Sequence, residues 1–282
     1  MKIARLAHDD DTLWGIVDLD AGTVQPIVGS IAEWGPGLTA GTSEPVTTGS
    51  PMSLVDVQLL PPIEPTATIV GVGLNYWSHL HKLGVTERPE RTVGFIKPQV
   101  AMIGHEAEMA YSALTEQLDF EIELVAVLGS SDIDQITPTN QVLGYTIGND
   151  TSARDAPPPA FGGLDLFSIK ALDRSTPLGP WIVTRDELGP VHDPGLEIEL
   201  RVNGERRQHD STSNMLWDVD ECLQYVLDRM PLRAGDVLFT GTTDGVGMED
   251  GRFLEPGDVV EAEIRGIGVL RNTVGPHEKP KR

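Results

Sequence analysis

Asp119-Phe-Glu-Ile-Glu-Leu-Val-Ala-Val-Leu128 is the stretch on which the fold turns. Its first six residues alternate polar and apolar with a period of two, the signature of a β-strand. From Leu124 to Leu128 it is apolar without a break, the pattern of a strand covered on both faces. Working outward, Leu143 to Ile147 reads as a short apolar strand that ends at Gly148-Asn149-Asp150. Leu196 to Val202 alternates and meets Asn203-Gly204, a strong two-residue hairpin signal. Asp236 to Thr240 and Val259 to Ile264 read as further strands. One helix stands out, with Leu216, Val219, Leu223, Val226 and Leu227 on a shared face and Cys222 and Met230 nearby. The chain reads as α+β and mostly β. Alternating strand–helix units are absent, which argues against a doubly wound sheet.

Residues 1–62 read as a small β-rich N-terminal domain, and 63–282 as the larger unit. In the first, Leu13 to Leu19 and Thr23 to Ile27 flank Asp20-Ala21-Gly22, a hairpin turn. The Gly-, Ser-, Thr- and Pro-rich stretch from Gly35 to Pro51 reads as a loop or linker, and Leu59-Leu60-Pro61-Pro62 as a boundary. Pro276 to Arg282 reads as a frayed polar tail.

Composition narrows the function. Hydrophobic residues at 39% and charged residues at 23% over 282 positions describe a globular chain with a substantial core. No apolar run reaches membrane-spanning length, and no signal peptide is visible. The single cysteine, Cys222, excludes an intramolecular disulfide and a cysteine metal cluster; a reducing cytoplasm is expected. A formal net charge of −22 argues against nucleic-acid or anionic-membrane partners. An anionic substrate would then need local cations, which makes buried Lys and Arg residues of interest.

Glu121 and Glu123 lie two apart on the opening strand, so they share a face with Cα atoms roughly 6.6 Å apart. Phe120, Ile122 and Leu124 face the other way, into a core. Two carboxylates this close repel, and each raises the pKa of the other. A cation between them removes that cost. A third carboxylate, and no Cys or His, suits a hard ion: Mg²⁺, Mn²⁺ or Ca²⁺. Glu197-Ile-Glu199 and Glu261-Ala-Glu263 show the same spacing, and such pairs are ordinarily a solvated face. Context separates the first pair. Its strand is apolar on both faces further on, and buried carboxylates need a partner. The next strand ends in the polar cluster Asp150-Thr-Ser-Ala-Arg-Asp155.

Taken together, Asp119-Phe-Glu-Ile-Glu-Leu, Gly144-Tyr-Thr-Ile-Gly-Asn-Asp-Thr-Ser-Ala-Arg-Asp155, Pro177-Leu-Gly-Pro-Trp181, Val202-Asn-Gly-Glu205 and Thr240-Gly-Thr-Thr-Asp-Gly-Val-Gly247 resemble the fumarylacetoacetate hydrolase family. Gly71-Val-Gly-Leu-Asn-Tyr76 and Phe95-Ile-Lys-Pro98 add two matches upstream. The resemblance implies a mixed β-sandwich roll with a small appended N-terminal domain, and a homodimer. It places metal ligation on Glu121, Glu123 and Asp150, with an anion-holding role for Lys170. Substrate contacts fall on Thr242 and the Gly241 turn, and on Tyr76 and Lys97 of the upstream motifs. His79 takes the position of a water-activating histidine that works with a glutamate. The implied activity is metal-dependent hydrolysis of a C–C bond in a small acylpyruvate or fumarylpyruvate-type oxo-acid. Isomerisation (tautomerisation) or decarboxylation of a 2-oxo-acid is the alternative, and a non-catalytic ligand-binding protein the third.

Two departures stand out. Hydrolytic members often carry Glu three residues after the histidine, where this chain has Lys82; Glu87 or Glu90 in the following polar loop is the expected substitute if that loop closes as a lid. Pro157 stands where Gln is common, inside Ala156-Pro-Pro-Pro-Ala-Phe-Gly-Gly163, so the pocket-lining loop is unusual and stiff. His105-Glu106 lacks the second His of a zincin, Gly71-Val-Gly lacks the third Gly of a dinucleotide loop, and there is no Gly-x-Ser-x-Gly elbow.

Overall fold

The structure, a computed structural model, describes residues 1–131 and 138–279. The longer elements are, in chain order, β1 (Lys2–His8), β2 (Asp11–Asp18), β3 (Thr23–Ile27), α1 (Ile31–Thr39), β4 (Ile69–Gly73), α2 (Trp77–Lys82), β5 (Val93–Lys97) and β6 (Ile122–Leu128). They continue with β7 (Val142–Asn149), α3 (Leu166–Lys170), β8 (Thr176–Thr184), β9 (Glu197–Val202), β10 (Glu205–Ser211), α4 (Val219–Leu227), β11 (Val237–Thr242), α5 (Gly247–Asp250), β12 (Val259–Ile264) and β13 (Gly268–His277).

Two sheets dominate. The larger runs β3-β2-β1-β8-β7-β6-β11-β4-β5, with short strands at its edges. The smaller runs β10-β9-β12-β13 and ends on Glu108–Tyr111. β6 sits in the middle of the large sheet between β7 and β11, antiparallel to both. All seven of its residues are buried. One face, Ile122, Leu124, Ala126 and Leu128, packs with Ile198, Leu200, Val260 and Ile264 of the small sheet and with Val219, Leu223 and Val226 of α4. The other face, Val125 and Val127, packs with Ile3, Trp14, Ile27, Ile31 and Trp34 of the N-terminal residues. This is why the strand is apolar on both sides. The mostly-β α+β architecture expected from the sequence is the one observed.

The N-terminal residues are hydrogen-bonded into the main sheet. β1 pairs antiparallel with β8, Lys2 opposite Val183 and Ile3 opposite Ile182, so strands on either side of residue 62 belong to one continuous sheet.

Local expectations fared unevenly. The β9–β10 hairpin forms as read: Val202 lies opposite Glu205, with Asn203 and Gly204 both at positive φ (52° and 80°) as a type I′ turn requires. The loop expected from Gly35 begins instead inside α1. Ser30 and Glu33 form a capping box, and burial of Ile31 and Trp34 holds the helix despite Gly35, Pro36 and Gly37. The strand expected from Asp119 to Leu128 breaks at Phe120 and Glu121: Leu118–Asp119 pairs with Ser152–Ala153, and β6 starts at Ile122. The helix at Leu216 begins only at Val219, with Asp218 as N-cap. Pro276 and His277 extend β13 rather than fraying, and residues 280–282 lie outside the described residues.

Candidate active site

The break at Phe120–Glu121 creates the site. Two residues leave the ladder, and side chains take up backbone N–H groups at the break: the Phe120 N–H donates to Asp119 Oδ1 (2.9 Å), the Glu121 N–H to Asn149 Oδ1 (2.8 Å) and the Ile122 N–H, at the start of β6, to Gln208 Oε1 (3.0 Å). The Gln208 amide also donates to Thr242 Oγ1 and to the Thr243 carbonyl, and Thr242 Oγ1 donates to the Ile122 carbonyl. The β6–β11 register shifts between Glu123 and Val125, a bulge that re-aims the carboxylates. The result brings one carboxylate oxygen each of Glu121, Glu123 and Asp150 within 4.8 Å of one another, all three residues buried.

Buried carboxylates require compensation, and two of the three have it. Lys170 reaches Glu121 Oε2 (2.9 Å) and Asp150 Oδ2 (2.5 Å). Lys97 reaches Asp150 Oδ1 (2.5 Å). Arg154 pairs with Glu121, and its Nε reaches Asp119 Oδ2 at 2.8 Å. Burial pushes the Glu121 carboxyl up, but the charges of Lys170 and Arg154 outweigh it and hold it well below the usual range. Burial lowers Lys97 despite Asp150 beside it. Burial also opposes the charge on Lys170, but Asp150 and Glu121 hold its ammonium above the ordinary value.

Glu123 differs. Its one hydrogen bond comes from the Gly241 N–H (2.7 Å), and no cation pairs with it among the described residues. Burial, then the charges of Asp150 and Glu121, push its carboxyl well above the usual range. A carboxylate left this way between two others is the feature a divalent cation satisfies, and an all-oxygen donor set suits a hard one. The residues present fit the ion. Gly241 is needed for this geometry: its φ is +93°, and a Cβ there would stand 2.8 Å from Asn75 Cβ.

The other predicted residues are placed as follows. Tyr76 and Lys97 are both almost wholly enclosed, Tyr76 at 0% and Lys97 at 2% exposure. Lys97 is therefore occupied by Asp150 rather than presented to a ligand, and the Tyr76 hydroxyl has no hydrogen-bond partner among the described residues. Thr242 bridges β11 to β6 and Gln208 through its hydroxyl. His79, in the short helix α2, is buried and lies within electrostatic reach of Glu121. The expected substitutes for the missing glutamate do not meet it. Glu87 and Glu90 are exposed, and the carboxylate on His79 Nδ1 is Glu249 of α5, at 3.1 Å.

Glu249 lies 170 residues away in sequence, and no local pattern announces it. Its helix is anchored by Asp119, whose carboxylate accepts from the Gly247 and Met248 N–H groups while holding Arg154. Asn75 lies inside the Gly71–Tyr76 motif, but the sequence assigns it no role. It bonds both ways to the Trp217 backbone, reaches the Thr240 carbonyl, and so pins the entry to α2. Leu74, just before it, takes a positive φ of 59°.

Residues 68–275 match the family described as fumarylacetoacetate (FAA) hydrolase C-terminal, and residues 1–62 match the one described as Rv2993c-like, N-terminal. The chain belongs to the fumarylacetoacetate hydrolase family. It is 36% identical over 231 residues to the oxaloacetate tautomerase YisK of Bacillus subtilis, covering 79% of this chain and 75% of that one. Among solved structures it is similar to 5-carboxymethyl-2-hydroxymuconate delta-isomerase from Mycobacterium smegmatis (TM-score 0.81, 33% identity, 99% of this chain and 100% of that one). It is also similar to the fumarylpyruvate hydrolase of Pseudomonas aeruginosa, solved with Mn²⁺ and pyruvate (TM-score 0.65, 31% identity, 78% and 92%). Members of this family are enzymes, hydrolases and isomerases both, and the buried acidic triad is of the kind that binds a divalent metal.

Proposed function

We propose that this chain is a divalent-metal-dependent enzyme acting on a small anionic 2-oxo-acid, and that hydrolytic C–C cleavage of an acylpyruvate or fumarylpyruvate-type substrate is its reaction. The observation that carries the reading is the uncompensated Glu123 between Glu121 and Asp150, with His79 and its carboxylate partner Glu249 beside the cluster. Asp119, Glu121, Glu123 and Asp150 set four carboxylates against the three cations Lys97, Lys170 and Arg154. A divalent ion reverses the sign of that balance, so the cluster would attract an anion in a chain of net charge −22. When bound, such an ion supplies Lewis-acid polarisation of the oxo group; Mg²⁺ is the first candidate and Mn²⁺ the second.

The protein's own groups do the proton work. A carboxylate only accepts, so Nδ1 of His79 carries the proton toward Glu249 Oε1 and Nε2 is left as the acceptor. That tautomer takes a proton from water when an acyl carbonyl is attacked, and returns it to the carbon that leaves as an enolate. The Gly241 N–H and Lys170 hold the carboxylates in place while that charge develops.

The same dyad moves a proton between carbon and oxygen without water. Tautomerisation is therefore the second reading, and the likeness to a tautomerase and an isomerase favours it. A turnover screen with acylpyruvates, fumarylpyruvate and oxaloacetate separates the two. Hydrolysis releases pyruvate and an acid, whereas tautomerisation changes the enol absorbance with no new acid. Chelated protein should lose turnover and regain it with a rise in Tm on adding Mn²⁺, whereas Glu123→Ala should show neither. Undiminished turnover after chelation sinks the metal-dependent reading, and no turnover by well-folded, Mn²⁺-loaded protein favours a non-catalytic binding role. We expect a cytoplasmic homodimer, to be checked by sedimentation.

A further inference from the structure

His79 and Glu249 come from segments with no covalent reason to meet. α2 spans six residues, too few to be stable alone, and its N-cap residue Tyr76 makes no side-chain cap. α5 spans four. One side chain ties the two segments together. Asp210, near the end of β10, accepts through Oδ2 from Ser78 Oγ (2.6 Å), the residue just before His79, and from Thr243 Oγ1 (2.7 Å), in the turn that leads into α5. The two hydroxyls lie 2.9 Å apart. Oδ1 is held by the Ser211 N–H (2.7 Å) and Asn214 Nδ2 (2.5 Å), which fixes the carboxylate plane. The turn is tied to Glu249 in its own right, since the Gly245 N–H donates to Glu249 Oε2 (2.9 Å).

We propose that Asp210 is a positioning residue that clamps helix α2 to the β11–α5 turn and so sets the His79–Glu249 contact. Both of its oxygens are saturated by four donors from the protein, so it touches no ligand. Charge-assisted bonds of this length are strong and directional, and the chemistry at His79 needs sub-ångström placement. The inference rests on the reading of His79 as the base, and the two can fail separately.

The test is Asp210→Asn, which keeps the volume but turns an amide N–H₂ toward one of the two donor pairs. Ser78→Ala is the second variant, removing the clamp on α2 alone in case the first folds poorly. The first readout is the imidazole tautomer of His79 in long-range ¹H–¹⁵N spectra, assigned with His79→Asn, in full-length protein. The wild-type signal should be that of the Nδ1–H form, and both variants should shift toward a mixed tautomer, as should Glu249→Gln. The second readout is turnover of oxaloacetate and an acylpyruvate with Mn²⁺ present: kcat should fall by roughly ten- to a hundred-fold with KM within about threefold, and Mn²⁺ affinity should not change. Variants that keep the wild-type tautomer and kcat overturn the clamp. Full activity in His79→Asn overturns the base reading instead, while the spectra still decide on Asp210.

Discussion

Glu249 shows how much of the site hangs on single side chains. It is the carboxylate that meets His79, and the exposed Glu87 and Glu90 do not. Exchange of both exposed residues for Gln should leave turnover within twofold of wild type. Glu249→Gln should lower kcat about a hundredfold or more, since a positioned acid–base group typically contributes 10²–10⁴. Comparable losses in both proteins would return the partner role to the loop. Cys222 makes the opposite case, a reactive residue type made inert. It is fully buried, and burial, then the charges of Asp218 and Glu221, push its thiol above the ordinary value. It should resist a disulfide thiol reagent in native protein and react with one equivalent in guanidinium; rapid native labelling would show that the α4 face opens.

At the scale of elements, a segment was readable in the sequence when its determinants were local. The β9–β10 hairpin was legible because Asn203-Gly204 sets its own turn, and the core face of α4 because its apolar residues repeat at helical spacing. The ends of α4 follow the same logic: Asp218 accepts from the Glu221 N–H (2.9 Å), and Glu221 accepts from the Asp218 N–H (3.0 Å). Asp218→Ala should cost about 1 kcal/mol and lower Tm by roughly 2–4 °C in a chain of this size, measured by calorimetry; an unchanged Tm would show the cap to be redundant. α1 was missed because Gly35, Pro36 and Gly37 read as breakers, while what holds it is contact with distant β-strands. The triad was legible only through context. Spacing alone also offered Glu197 with Glu199 and Glu261 with Glu263. Those pairs lie on the neighbouring strands β9 and β12, Glu199 opposite Glu263 and Glu261 opposite Arg201, with Arg201, Arg265 and Arg271 pairing to them at a partly exposed surface. The break at Phe120–Glu121 had no sequence signal. It depends on Asn149 and Gln208 supplying the missing backbone partners.

For the whole molecule, the question is whether residues 1–62 are an appendage. Their match to a separate N-terminal family suggests a removable module, but the packing does not. β1 supplies the neighbour that β8 needs, and Ile3, Trp14, Ile31 and Trp34 cover Val125, Val127, Leu143, Ile182 and Phe239. Uncovering side chains of this kind costs about 1.5–3 kcal/mol each, so losing the cover of those five approaches the roughly 5–15 kcal/mol that holds a domain together. It would also leave β8 as an open apolar edge, a template for aggregation. The active-site strand β6 lies directly beneath this cover, so the loss should reach Glu123 through the strand that carries it. A chain of residues 63–282 alone should therefore be insoluble or unfold well below the full-length protein. Co-expression with residues 1–62 as a separate chain should restore solubility and the Mn²⁺-induced rise in Tm together. Soluble 63–282 with a Tm within about 5 °C of full length and an intact Mn²⁺ response would show instead that the catalytic sheet closes its own core.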